Sequence, residues 1–162
     1  MLQEKILEIA KNKPVLVLFD MDGTLVEFGV NEKEQILENV PGFYFNKRPI
    51  QTMLKIAEGL SKKKNITVGI MSNCYYSNQK EDKLRWLKDN APFIEDKNIY
   101  INVYNNRNID KLERSSAKLN RILNEKLTDN NVVYLIEDTH EIIKTINKEL
   151  PDCAHHLSEL IK

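Results

Sequence analysis

Cysteine is nearly absent from this 162-residue chain, which carries only Cys74 and Cys153. Two thiols so far apart and so differently placed support neither a disulfide framework nor a zinc site, and we read both as reduced. There is no excess of charge of either sign: Lys plus Arg and Asp plus Glu number 24 each. The balance gives no electrostatic case for a nucleic-acid or membrane partner, although it leaves room for a local basic patch and so does not exclude nucleic acid. Long apolar runs are missing too. The longest is far short of the roughly 20 residues a membrane span needs. The opening "MLQEKILEIAKNK" carries charges at positions 4, 5 and 8 and so lacks the apolar centre of a secretory signal. The expectation is a cytoplasmic protein with no membrane partner. No internal repeat, low-complexity tract or Pro/Gly/Ser linker divides the chain, and its length predicts one domain over 1–162.

What is present is a rhythm. Four short apolar or β-branched runs, "VLVLFD" (15–20), "NITVGIMS" (65–72), "NIYINVY" (98–104) and "NVVYLIED" (131–138), show no clean alternation. That is the pattern of strands buried on both faces of a parallel sheet. Helix-period segments lie around them, at 2–11, 49–64, 78–90, 110–127 and 139–150, the last stopped by Pro151. In the segment 110–127, Leu112, Leu119, Ile122 and Leu123 are spaced helically. The alternation predicts an α/β fold, a three-layer, doubly wound, mostly parallel sheet with right-handed crossovers. The least regular part, about 28–48, follows the first strand at the carboxyl edge where such sheets place their sites, and reads as a small lid.

The strand ends are unusual. The first ends in Asp20, with Asp22 two residues on; the second in Ser72 and Asn73; the fourth in Glu137 and Asp138. Taken singly, each reads as a turn or a helix cap. In a parallel sheet, however, these tips share one edge, and four carboxylates gathered there raise the cost of ionising one another. A divalent cation relieves that cost, and oxygen ligands suit Mg²⁺, which takes its remaining ligands from waters and a phosphate. The pattern therefore points to phosphate chemistry. Asp20 is placed to act as nucleophile, forming an aspartyl-phosphate. Asp22 is placed to reach the leaving group as general acid. Gly23 permits a tight turn, and Thr24 with nearby amides would begin a phosphate-binding nest. Ser72, with Asn73, would add donors to the phosphoryl oxygens. Such a site also needs a lysine against the developing negative charge.

These residues resemble the haloacid dehalogenase superfamily of phosphohydrolases. "FDMDGTL" is similar to that superfamily's first motif, Ser72 after "ITVGIM" to its second, and Glu137-Asp138 after "VVYLI" to its acidic fourth. The resemblance implies a metal site of Asp20, the Asp22 carbonyl, Asp138 and Glu137, the last binding directly or through water. Within the superfamily, "DMDGTLVEF", "PGFYFNKRPI" and "KEDKLRWLKDNAPFI" resemble segments of the 5′(3′)-deoxyribonucleotidase group. That likeness makes Lys83 the charge-balancing lysine and Phe28 a stacking surface for a nucleobase. It implies a Mg²⁺-dependent nucleotide phosphatase acting on a small-molecule phosphomonoester. Three departures stand beside it. The lid is much shorter than the group's, Thr139-His140 replaces the group's Arg-Pro, and an extra helix at 110–127 carries Lys111 and Lys118. In other branches the corresponding lysine has a spacing close to that of Lys111, which makes Lys111 the alternative to Lys83.

A short lid leaves the site open, which admits a larger substrate, a polynucleotide end or a phosphoprotein. A lid of this size can also be completed by a neighbouring subunit, so a homodimer is compatible with it. A phosphotransferase would use the same aspartyl-phosphate, and a catalytically silent binding module is the reading from another class. Trp86 is expected in packing, Tyr75 and Tyr76 at the substrate entrance or on the surface, and His140, His155 and His156 as structural or surface residues.

Overall fold

The computed structural model describes residues 1–28 and 40–161. Its elements, in chain order, are α1 (Leu2–Ala10), β1 (Val15–Phe19), α2 (Gln51–Ser61), β2 (Ile66–Cys74), α3 (Ser77–Asn90), β3 (Ile99–Val103), α4 (Lys111–Asn124), β4 (Val132–Glu137), α5 (His140–Glu149), β5 (Ala154–His156) and α6 (Ser158–Ile161). The five strands form one parallel sheet in the order β3-β2-β1-β4-β5. This is the expected α/β architecture, with β1 at the centre.

All five residues of β1 are buried, and the pleat divides them between two cores. Val15, Val17 and Phe19 pack with α1, α2 and Trp86 and Leu87 of α3. Leu16 and Leu18 face the other way, against Leu119 and Ile122 of α4 and Ile146 of α5. Each large side chain so enclosed contributes roughly 1.5–3 kcal/mol of hydrophobic stabilisation. Helices on both faces make three layers.

Two strands differ from the sequence reading. β2 continues to Cys74, so Ser72 and Asn73 lie inside a strand paired with β3 rather than at a helix start; α3 begins only at Ser77. The fifth strand, Ala154–His156, was not expected. It is three residues long, and its Ala-His-His composition carries no β signal; pairing with β4 defines it. His155 and His156 are thus structural, and His140 opens α5.

The expected lid falls largely on 29–39, outside the described residues. Its two ends are tied together: Glu27 N donates to Arg48 O at 2.9 Å and Ile50 N to Leu25 O at 2.7 Å. Beyond them, a single 3-10 turn, Tyr44–Asn46, is fastened to α3. Trp86 Nε1 donates to Lys47 O at 2.9 Å, and Gly42 N to a carboxylate oxygen of Asp82 at 2.7 Å. Among the described residues, no helix is long and apolar enough to cross a membrane.

Candidate active site

β1 and β4 are in register, Phe19 beside Ile136, and Asp20 N extends the pairing to Ile136 O at 2.9 Å. Register therefore sets Asp20 next to Glu137 at the carboxyl edge. Both are buried, at 6% and 1% exposure. Lys118 of α4 reaches between them, its Nζ 2.6 Å from Asp20 Oδ1 and 2.5 Å from Glu137 Oε2. Glu137 Oε1 accepts from the amides of Asp138 and Thr139, both at 3.0 Å. Glu137 thus has both oxygens engaged, holding Lys118 on one side and the start of α5 on the other.

Asp22 sits in a second charge group. Lys83 of α3 donates to Asp22 Oδ2 at 2.7 Å, to Ser72 Oγ at 2.8 Å and to the Asn73 carbonyl at 2.8 Å. Lys47 approaches Asp22 Oδ1 at 3.4 Å. Both ammonium groups lie over the Tyr44 ring, 4.9 and 5.1 Å from its centroid. The Asn73 side chain is steadied by Asn102, whose Nδ2 donates to Asn73 Oδ1 at 2.8 Å.

The two aspartates are pushed in opposite directions. Burial, reinforced by the Glu137 carboxylate, raises Asp20 to about 7 despite Lys118. Burial raises Glu137 as well. It works against the Lys118 charge, but Asp20 and Glu137 outweigh it and hold the ammonium above the ordinary lysine range. For Asp22, burial is overcome by Lys83 and Lys47, and the carboxyl falls below its usual range. Burial and Glu137 thus leave Asp20 able to take up a proton near neutrality, while Lys83 and Lys47 keep Asp22 ionised.

Asp20, Glu137 and Asp138 each bring an oxygen within 4.8 Å of the others, a group able to hold a metal ion. The backbone is shaped around it. A Cβ built on Gly23 would stand 2.2 Å from Asp138 Oδ2, so only glycine lets that carboxylate reach its place, and φ of +80° favours glycine as well. The set is all oxygen, the chemistry a hard divalent cation takes, with Asp20 and Glu137 also sharing Lys118. The Asp22 carbonyl accepts no hydrogen bond among the described residues and remains available to join it.

Several expectations are corrected by position. Lys83 meets Asp22 and Ser72, and it is Lys118 that touches Asp20. Lys111 is 71% exposed and pairs with Glu141 at 2.5 Å. Lys83 and Lys111 both came from the family resemblance and its spacing. Of the four apolar residues spaced along α4, Leu119 and Ile122 are buried, in one stripe with Ser115 and Lys118, while Leu112 and Leu123 are 74% and 46% exposed. A lysine within that stripe was the available signal. Gly23 and Thr24 do not begin a nest. Their amides close a turn, Gly23 N onto Val26 O at 2.8 Å and Thr24 N onto Met21 O at 3.1 Å, and Thr24 is wholly buried. The amides of Met21 and Asp22 have no acceptor among the described residues, and they are the donors this turn leaves over. Lys47 was missed because its role depends on the fastening of the 3-10 turn to α3.

These groups open into a cavity of about 410 Å³ whose wall includes Asp20, Asp22, Phe28, Tyr75, Lys118 and Asp138. A second, of about 560 Å³, continues from it past Tyr44 and Lys83. Phe28, 56% exposed, lines both.

No family model matches the chain, and no curated protein matches it. Among solved structures, it is similar to a chain of the Pnkp1/Rnl/Hen1 RNA repair complex, with a TM-score of 0.67 and 16% identity. The match covers 89% of this chain and 42% of that one, so this chain spans about two fifths of its neighbour's length. At that identity the likeness shows the fold.

Proposed function

We propose that the chain is a Mg²⁺-dependent phosphomonoester hydrolase working through an aspartyl-phosphate on Asp20. The observation that supports this most is the pairing of Lys118 with Asp20 and Glu137 beside Asp138, opposite Asp22 with its own lysine. The reading agrees with the resemblance of "FDMDGTL" to the first motif of the haloacid dehalogenase superfamily.

In the first half of the reaction, a carboxylate oxygen of Asp20 bonds to phosphorus while the ester P–O bond breaks, and the departing alkoxide takes a proton from Asp22. Asp22 is ionised in the free site. A phosphoryl dianion arriving beside it adds a like charge, which raises its affinity for the proton it must deliver. Lys118 stays on Asp20, and Ser72 with the amides of Met21 and Asp22 donates to the phosphoryl oxygens. In the second half, water attacks phosphorus and gives a proton to Asp22; the acyl-phosphate bond breaks, and Asp20 and inorganic phosphate are released. Bound at Asp20, Glu137 and Asp138, Mg²⁺ would supply positive charge to the phosphoryl oxygens and ionise Asp20.

The substrate we favour first is a nucleotide, with Phe28 as the flat surface for its base. A larger substrate, a polynucleotide end, is the second reading. It is supported by the open two-part cavity and by the RNA repair complex among the structural neighbours. The test is phosphate release over a panel of nucleotides, sugar phosphates and phosphorylated oligonucleotides with Mg²⁺ or chelator. Acid-quenched wild-type protein should carry one phosphoryl group, and Asp20→Asn protein none. Undiminished turnover by Asp20→Asn would sink the reading.

A further inference from the structure

The wall of the cavity away from the carboxylates is built differently. Tyr75, just past β2, and Tyr104, just past β3, stand with ring centroids 5.9 Å apart and planes tilted by 59°. Both line the first cavity, as does Arg114 of α4. Arg114 is exposed, and its side chain has neither an ion pair nor a hydrogen bond among the described residues. Its neighbour Lys111 is neutralised by Glu141, so Arg114 is the cation this wall offers to a ligand. Arg114 and Lys118 lie four residues apart on one face of α4, one turn, or roughly 6 Å of axial rise. The helix thus presents one cation at Asp20 and a second one turn farther out, on the side where the two cavities join. Tyr75, Phe28 and Arg114 belong to both cavities, and the second adds Arg107 and Asn108.

We propose that Arg114, with Tyr75 and Tyr104, forms a subsite for the nucleotide next to the scissile phosphate, which selects the second of the two substrate readings, the phosphorylated end of a single-stranded nucleic acid, over the mononucleotide. This rests on the phosphatase reading for the chemistry at Asp20, but the subsite can be assayed without it. A guanidinium matches an internal phosphate. Aromatic side chains beside it match an unstacked base. Either cavity alone has the volume of a small-ligand pocket, and two in series suit a ligand made of successive units.

The experiment measures binding of a fluorescein-labelled, terminally phosphorylated oligonucleotide to Asp20→Asn protein, with Mg²⁺ present, by anisotropy across a salt series. The 3′- and 5′-phosphorylated forms are run separately. At least one should bind ten or more times more tightly than the matching mononucleotide. Adding Arg114→Gln should weaken the oligonucleotide about tenfold and lower the salt slope by about one. Arg114→Glu should weaken it further, and unchanged melting temperatures would show both variants folded. Equal affinity for mononucleotide and oligonucleotide, or indifference to both Arg114 variants, would overturn the subsite. So would a nucleoside bisphosphate or a phosphopeptide that competes as well as the strand. If the wild type then still hydrolyses mononucleotides, only the subsite has failed. If it hydrolyses no phosphoester while binding oligonucleotides through Arg114, the subsite stands and the phosphatase reading falls.

Discussion

Lys118 bridges Asp20 and Glu137, with its ammonium 2.6 Å from one and 2.5 Å from the other, and all three side chains are buried. Removing one member of such a group leaves like charges facing each other away from water. Lys118→Met should cost about 3–5 kcal/mol of stability at pH 8 without metal, and lower phosphatase turnover by about 10² to 10³. Lys111→Ala, which breaks only an exposed pair with Glu141, should stay within about 0.5 kcal/mol. Urea denaturation of the two variants side by side checks the contrast.

The proton balance of Asp20 gives a second test. Its folded-state value of about 7 lies above the ordinary 3.8, so the folded protein binds that proton more tightly than the unfolded chain does. Without metal, the Asp20 contribution is greatest below the unfolded value and is lost as pH rises through the interval up to about 7. The limiting slope is about 1.4 kcal/mol per pH unit. Asp22 works the other way: its lowered value contributes stability above the unfolded value, which is lost only as pH falls below it. Thermal melts in chelator should therefore decline from pH 5.5 to pH 8 more steeply for wild type than for Asp20→Asn. Mg²⁺ should raise the wild-type melting temperature more at pH 8 than at pH 5.5. Equal Mg²⁺ shifts at the two values would count against a metal on Asp20.

Gly23 tests the shape of the proposed metal site independently of its charge. A methyl at this position meets Asp138 Oδ2 at 2.2 Å, and φ of +80° strains any other residue. Gly23→Ala should lose at least about 1 kcal/mol from backbone strain alone, and it should displace Asp138. Titration calorimetry should show Mg²⁺ binding weakened tenfold or more. Binding at wild-type strength would mean that Asp138 is not a ligand.

Trp86 carries the fourth prediction. Its indole N–H satisfies the Lys47 carbonyl and so holds the 3-10 turn that brings Lys47 to Asp22. Trp86→Phe keeps most of the apolar bulk but leaves that carbonyl without its donor, at about 1–3 kcal/mol. The Lys47 ammonium should then sit less firmly at Asp22, and the acidic limb of the pH profile for breakdown of the aspartyl-phosphate, where Asp22 takes up a proton, should move upward. A profile superimposable on wild type would show that the bond serves packing alone.

How much of this was legible in the sequence differs between strands and helices. The strands bearing Asp20, Ser72 and Glu137 announce themselves, because a two-sided buried strand is a continuous apolar run and its polar end is conspicuous. The order of the strands within the sheet was not read from the sequence, and β5, which carries no β signal, was missed. The lysines were harder, since a long side chain can reach a site from several helical positions and phase decides which one does. On α4, the apolar spacing was half right: Leu119 and Ile122 are buried, with Lys118 beside them, while Leu112 and Leu123 stay exposed. The function of Gly23 was hidden for another reason. It depends on Asp138, more than 110 residues away, and no local pattern records how closely that side chain approaches the Gly23 backbone.

The single-turn separation of Arg114 from Lys118 places two separable duties on one rigid rod. The inner turn of α4 is locked by buried charge, and any change there disturbs Asp20 and Glu137 together. The outer turn faces solvent and contacts neither of them. If the proposed subsite holds, substitutions at Arg114 and its exposed neighbours would change which ligands bind while the buried charge group beneath stays in place.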